Sequence, residues 1–61
     1  MMTRVGGSWV HEYACLAKDE KLTNITKPEL KIPNGSSCIE MDTAKVYLYD
    51  RENERWLPMT V

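Results

Sequence analysis

The clearest alternation of apolar and polar positions lies in the second half of the chain. Asn34-Gly35-Ser36 is a turn signal, after which Ser37-Cys38-Ile39-Glu40-Met41-Asp42 reads at period two and leads into Lys45-Val46-Tyr47-Leu48-Tyr49-Asp50. Two such runs around a short polar break predict a β-hairpin. Two registers compete. A two-residue Thr43-Ala44 loop pairs Ile39 with Leu48 and Asp42 with Lys45, whereas a bulged turn with Ala44 left-handed pairs Ile39 with Tyr47. A further strand, Arg55-Trp56-Leu57-Pro58-Met59-Thr60, follows the turn Arg51-Glu52-Asn53-Glu54, where Asn53 tolerates positive φ and Asp50 accepts turn hydrogen bonds. Residues 36–60 thus predict a three-stranded meander, and Pro58, which cannot donate to a ladder, places its last strand at an edge.

The first half is less regular. Residues 9–16 put Trp9, His11, Tyr13 and Cys15 on one face of a strand and Val10, Glu12, Ala14 and Leu16 on the other. A helix would instead gather Trp9, Tyr13 and Leu16, but the aromatic content favours a strand. Residues 1–8 read as a flexible arm because of Gly6-Gly7. Residues 17–34 are charged, carry Pro28 and Pro33, and read as a long connection of a kind that binds something or is held by a partner. The expected fold is therefore one small all-β domain over residues 1–61, an antiparallel sheet made of the N-terminal strand and the meander.

Length changes this picture. A 61-residue chain buries only about 60% of the surface that its unfolded form exposes, so help from a disulfide, a metal or oligomerisation is expected. Cys15 and Cys38 allow one bridge at most, and the chain opens Met1-Met2-Thr3-Arg4 without an apolar export segment, which implies a reducing compartment. His11 with the two cysteines falls one ligand short of a zinc site, so no metal and no cofactor are expected. Oligomerisation is left as the favoured source of stability.

Eight basic and nine acidic residues, interspersed, give a net charge of -1, which offers no concentrated phosphate-binding surface for nucleic acid. No run approaches the ~18 apolar residues that a transmembrane helix needs. His11, Glu12 and Cys15 suggest a Cys-His pair, yet on a strand His11 and Cys15 lie about 13 Å apart, beyond proton-transfer reach. Asp42, Asp50, Glu52 and Glu54 match no calcium loop and read as solvated turn charges. The patterns Asn24-Ile25-Thr26 and Asn34-Gly35-Ser36 formally match glycosylation acceptors and carry little weight without export. No catalytic residue is expected. The five aromatics fit an apolar core or subunit interface better than a sugar-stacking platform.

The string Ile32-Pro33-Asn34-Gly35-Ser36-Ser37, then Glu40-Met41-Asp42-Thr43-Ala44-Lys45-Val46-Tyr47-Leu48-Tyr49-Asp50, then Trp56, resembles small bacteriophage virion proteins and fibre-associated β modules, in which a P-x-G-S … D-T-G-K-x-Y-x-Y/F-D … W pattern recurs. The likeness covers roughly the second half of the chain. Ala44 stands where that pattern has Gly, a change costing on the order of 1 kcal/mol if the position stays left-handed. The resemblance implies a structural role on a phage head, tail or fibre, as trimers or another symmetric assembly, and supplies no catalytic residues.

The resulting expectation is a non-enzymatic virion protein, made in the host cytoplasm, whose partners are identical subunits and a larger capsid or tail protein. Trp9, Tyr13, Tyr47, Tyr49, Trp56 and Leu57 are the expected interface anchors, with Leu30 and Ile32 of the long connection as a second contact zone. The rival readings are a carbohydrate- or receptor-binding module, which needs Tyr47, Tyr49 or Trp56 exposed, and a small intracellular phage regulator.

Overall fold

The computed structural model describes residues 1–59. Five strands run in chain order across one sheet: β1 (Thr3–Gly6), β2 (Glu12–Cys15), β3 (Ser37–Glu40), β4 (Lys45–Asp50) and β5 (Arg55–Pro58). The fold is mostly β, as the period-two runs indicate, and the meander β3-β4-β5 is present. The strand expected to run to Thr60 ends at Pro58, and Thr60 lies outside the described residues. The Cα radius of gyration, 10.5 Å, is that of a compact folded chain of this length.

Four expectations are corrected. The sheet is mixed, because β2 and β3 lie side by side in parallel, with Tyr13 opposite Cys38 and Cys15 opposite Glu40. Parallel neighbours need a crossover of a dozen or more residues, and residues 16–36 supply it. Second, the N-terminal arm is a strand: Thr3 pairs with Ala14 and Arg4 with Tyr13, with a bulge before Gly6. Gly7 closes this hairpin at φ +104°, and a Cβ there would sit 2.1 Å from the Val10 carbonyl oxygen, so no side chain fits. The Arg4 guanidinium donates to the Gly6 and Gly7 carbonyls. Third, the turn consumes residues 8–10, so β2 starts at Glu12 and Trp9 lies outside the sheet.

The fourth correction is the β3-β4 register. Ile39 pairs with Val46 and Glu40 with Lys45, leaving a four-residue loop, 41–44, closed by the Ala44 N–H to the Glu40 carbonyl at 2.8 Å. Ala44 is left-handed at φ +60°, as in the bulged alternative, but the loop is longer than either expected turn. The next loop, 51–54, has the same length and the same left-handed fourth residue. Asp50 accepts from the Glu52 and Asn53 N–H groups and from the Asn53 amide. Glu54 rather than Asn53 takes the positive φ, +54°, because the fourth loop position must turn the chain back into β5.

Strand alternation sorts the sheet into two faces. The inner face carries Tyr13 and Cys15 of β2, Cys38 and Glu40 of β3, Tyr47 and Tyr49 of β4 and Trp56 of β5. Residues 16–36 roof it. Ile32 is fully buried against Tyr13, Cys15, Cys38 and Tyr49, with Leu22, Leu30 and Trp56 packed around them. Of the second contact zone expected in the connection, Ile32 is fully buried under the chain's own sheet and Leu30 is half-buried against the same cluster. Burying a side chain such as Ile32 stabilises by about 1.5–3 kcal/mol.

The roof is fastened by polar groups. The Asn24 side chain receives the Ile32 N–H at 2.7 Å and donates to the Ile32 carbonyl at 3.0 Å, as a neighbouring strand would. The Asn24 N–H donates to the Tyr49 hydroxyl at 3.0 Å, and that hydroxyl donates to Glu54. Trp56 Nε1 donates to the Leu22 carbonyl at 2.8 Å. Buried Ser36 joins three segments: its hydroxyl donates to the Pro33 carbonyl and accepts the His11 N–H, and its carbonyl accepts the Tyr49 N–H. The only helical element is one 3₁₀ turn, Pro28–Leu30, among the described residues. None of them forms a helix long and apolar enough to cross a membrane.

Candidate functional site

β4 reads Val46-Tyr47-Leu48-Tyr49, an apolar run without a polar break. Such a run belongs to a strand covered on both faces. In this chain only the face of Tyr47 and Tyr49 is roofed. On the opposite face, register places Ala14 beside Ile39, Ile39 beside Val46, and Leu48 beside Leu57. Met59, whose N–H donates to the Val46 carbonyl, extends the first row. The result is a contiguous apolar patch across β2 to β5, with Ile39 41% and Met59 49% exposed.

Glu12, Asp50 and Arg55 share this face at its margin, and Asp50 pairs with Arg55 across β4 and β5. An apolar centre with a charged rim is the anatomy of a docking surface. Trp9 adds a second apolar feature on the β1-β2 connection, 92% exposed. An indole left this open in a single chain is uncommon, and Trp is the side chain most enriched among interface anchors.

The expected anchor residues fall into separate groups. Trp9 is exposed and Leu57 lies on the unroofed face. Tyr13, Tyr49 and Ile32 are within the chain's own core, each at most 4% exposed, and Leu30 packs against them. Trp56 sits edge-on to Tyr49 at 4.9 Å and to Tyr13 at 6.1 Å between ring centroids. Tyr47 lies under the Lys21 ammonium, 4.2 Å from its ring centre. Tyr49 is thus buried, and Tyr47 and Trp56 are only partly exposed. Exposed Ile39 and Met59 and half-buried Val46 and Leu48 form the patch that the aromatic residues do not mark. The unbroken apolar run in β4 was their signal.

Several titratable groups tie the roof to the sheet. Lys21, from the roof, hydrogen-bonds the Glu40 carboxylate, which also accepts from the Thr43 hydroxyl at 2.7 Å. The Lys21 hydrogen bond first, and Thr43 next, hold the Glu40 carboxyl below its ordinary value. Burial pulls the Lys21 ammonium down, but the hydrogen bond and charge of Glu40 outweigh it and leave the group raised. Cys15 and Cys38 are free thiols with no exposure, Sγ to Sγ 3.3 Å. Burial, with the Cys15 contact next, pushes the Cys38 thiol up to about 12, so it is no nucleophile near neutrality. His11 Nδ1 pairs with the Tyr13 hydroxyl at 2.8 Å. Burial, then the Arg4 charge, lowers its pKa. Among the described residues no three His, Cys, Asp or Glu side chains gather into a metal site. No family model, no curated protein and no solved structure matches the chain.

Proposed function

We propose that this chain is a non-enzymatic assembly module, a structural component of a bacteriophage particle that docks through the unroofed face of its sheet onto identical subunits and a larger capsid or tail protein. The observation that carries the docking role is the two-sided apolar character of β4, with Tyr47 and Tyr49 facing the roof and Val46 and Leu48 half-buried on the opposite face beside exposed Ile39 and Met59. Exposed Trp9 supports it. The phage setting rests on the likeness of the β3-β4 string and Trp56 to virion β modules.

Docking the patch removes Ile39, Val46, Leu48, Leu57 and Met59 from water at about 25 cal/mol per Å² of apolar surface. The sheet face measures at most about 26 by 22 Å from the principal extents of the chain, which is a modest area for a stable pair. Trp9 enlarges the contact, and a symmetric particle multiplies it by avidity.

Two measurements test the proposal. Sedimentation across a concentration series is expected to show self-association that Ile39→Lys abolishes, with the thermal midpoint of the variant close to that of the parent. Mass spectrometry of purified particles is expected to find the chain in stoichiometric amount. A protein that stays monomeric at every concentration and is missing from particles would be some other kind of molecule.

A further inference from the structure

Away from the unroofed face, where the roof meets the loop 51–54, lies a cleft of about 490 Å³ lined by Asn24, Pro28, Lys31, Pro33, Arg51 and Glu54. Its size falls within the range of sites that hold a small ligand or a short stretch of peptide. We propose that this cleft binds an acidic peptide segment of a partner chain, its carboxylate held between the Lys31 ammonium and the Arg51 guanidinium. The inference rests on the assembly reading and names the chemistry of the partner.

Several observations carry it. Among the described residues the ion pairs are those of the terminal amine with Asp19 and of Lys21 with Glu40, so Lys31 and Arg51 bring two uncommitted cations to one cleft. Both are positioned from behind. The Lys31 N–H donates to the Pro28 carbonyl at 3.3 Å with Lys31 left-handed at φ +50°, and the Arg51 N–H donates to Asn34 Oδ1 at 3.0 Å. Pro28 and Pro33 supply walls without N–H donors. The Asn24 amide is spent on Ile32.

Glu54 decides between kinds of anion. One of its oxygens accepts from the Tyr49 hydroxyl, which leaves the other free to accept. A bare inorganic anion would meet that carboxylate with repulsion. A peptide brings a backbone N–H beside its carboxylate, and so satisfies Glu54 and the two cations together.

Amide chemical shifts of the labelled full chain, titrated with the capped peptide Gly-Asp-Asp-Gly, test this. Saturable shifts are expected at Asn24, Lys31, Arg51 and Glu54, weaker at high salt and absent with capped Gly-Asn-Asn-Gly. The double variant Lys31→Gln/Arg51→Gln, altered only at exposed side chains, is expected to bind about tenfold or more weakly. Equal shifts from the acidic and neutral peptides, parental affinity in the double variant, or inorganic phosphate reproducing the whole response would each overturn the inference. Sedimentation of the double variant separates the two proposals, because the parental association pattern with no peptide response removes this inference alone. A peptide response in a chain that never self-associates or enters particles keeps the cleft and removes the assembly reading.

Discussion

Lys21 and Glu40 join the roof to the sheet: an ammonium from the crossover meets a carboxylate from β3, with Tyr47 beneath it and Thr43 beside it. Neither side chain is open to water, at 16% and 6% exposure. The pairing sets how stability responds to acid. Glu40 has a folded-state pKa below its ordinary 4.5, so its contribution is present in full above that value and is lost as pH falls through the lowered one. Asp19 and Asp50 are lowered as well, by hydrogen bonds from the terminal amine and from Asn53 respectively, and act in the same direction. The thermal midpoint is expected to hold from neutrality to about pH 5 and to drop below pH 4. Glu40→Gln should lower the neutral midpoint and flatten part of the acid slope. An unchanged slope in that variant would show that the pair does not couple folding to pH.

The loops 41–44 and 51–54 form a matched pair for testing backbone strain. Ala44→Gly removes a Cβ from a left-handed residue and is expected to stabilise by about 1 kcal/mol. Glu54→Gly relieves the same strain but deprives the Tyr49 hydroxyl of its acceptor, so its net gain should be smaller or negative. Denaturant unfolding of both variants gives the comparison. Equal stabilisation would mean that the Tyr49–Glu54 hydrogen bond contributes nothing.

Tyr49→Phe is expected to cost about 1–3 kcal/mol, because the Asn24 N–H loses its acceptor and Glu54 its donor. The loss is local to the roof. Hydrogen exchange should accelerate at the amides of Asn24 and Ile32 well before those of β4. Uniform acceleration would indicate that roof and sheet open as one unit.

Cys15 and Cys38 touch, but their strands are offset. Cys38 lies opposite Tyr13, two residues before Cys15, which puts the two Cα atoms on the order of 8 Å apart, beyond the reach of an unstrained bridge. With both thiols buried and Cys38 raised to about 12, neither is expected to react with a thiol reagent in the folded protein. Labelling should follow global unfolding, and reductant should leave the thermal midpoint unchanged. Rapid labelling under native conditions would contradict the burial of this pair.

The meander and the β class were legible because β3 alternates at period two, β4 and β5 are rich in aromatic and aliphatic residues, and turn residues separate the three. The β2-β3 pairing was not, since parallel neighbours share no local turn. Its one trace was a connection too long for a hairpin, and charged residues hid the few apolar ones that anchor it. Asn24 and Lys21 look like ordinary loop polar groups until the sheet places Ile32, Tyr49 and Glu40 beside them. β1 was hidden by Gly6-Gly7, which marks a turn as readily as a mobile arm. The aromatic residues drew attention to the inner face of the meander, whereas the uncovered patch is aliphatic and thioether, from Ile39 to Met59.

The segment that carries the chain from β2 to β3 is also what covers the core. Joining β2 to β3 and roofing the core are thus tasks of one stretch of chain, which carries Ile32 and Leu22 to the sheet face of Tyr49. A protease cut within that segment should uncouple the two, leaving an N-terminal hairpin and a C-terminal meander that hold together only as noncovalent halves.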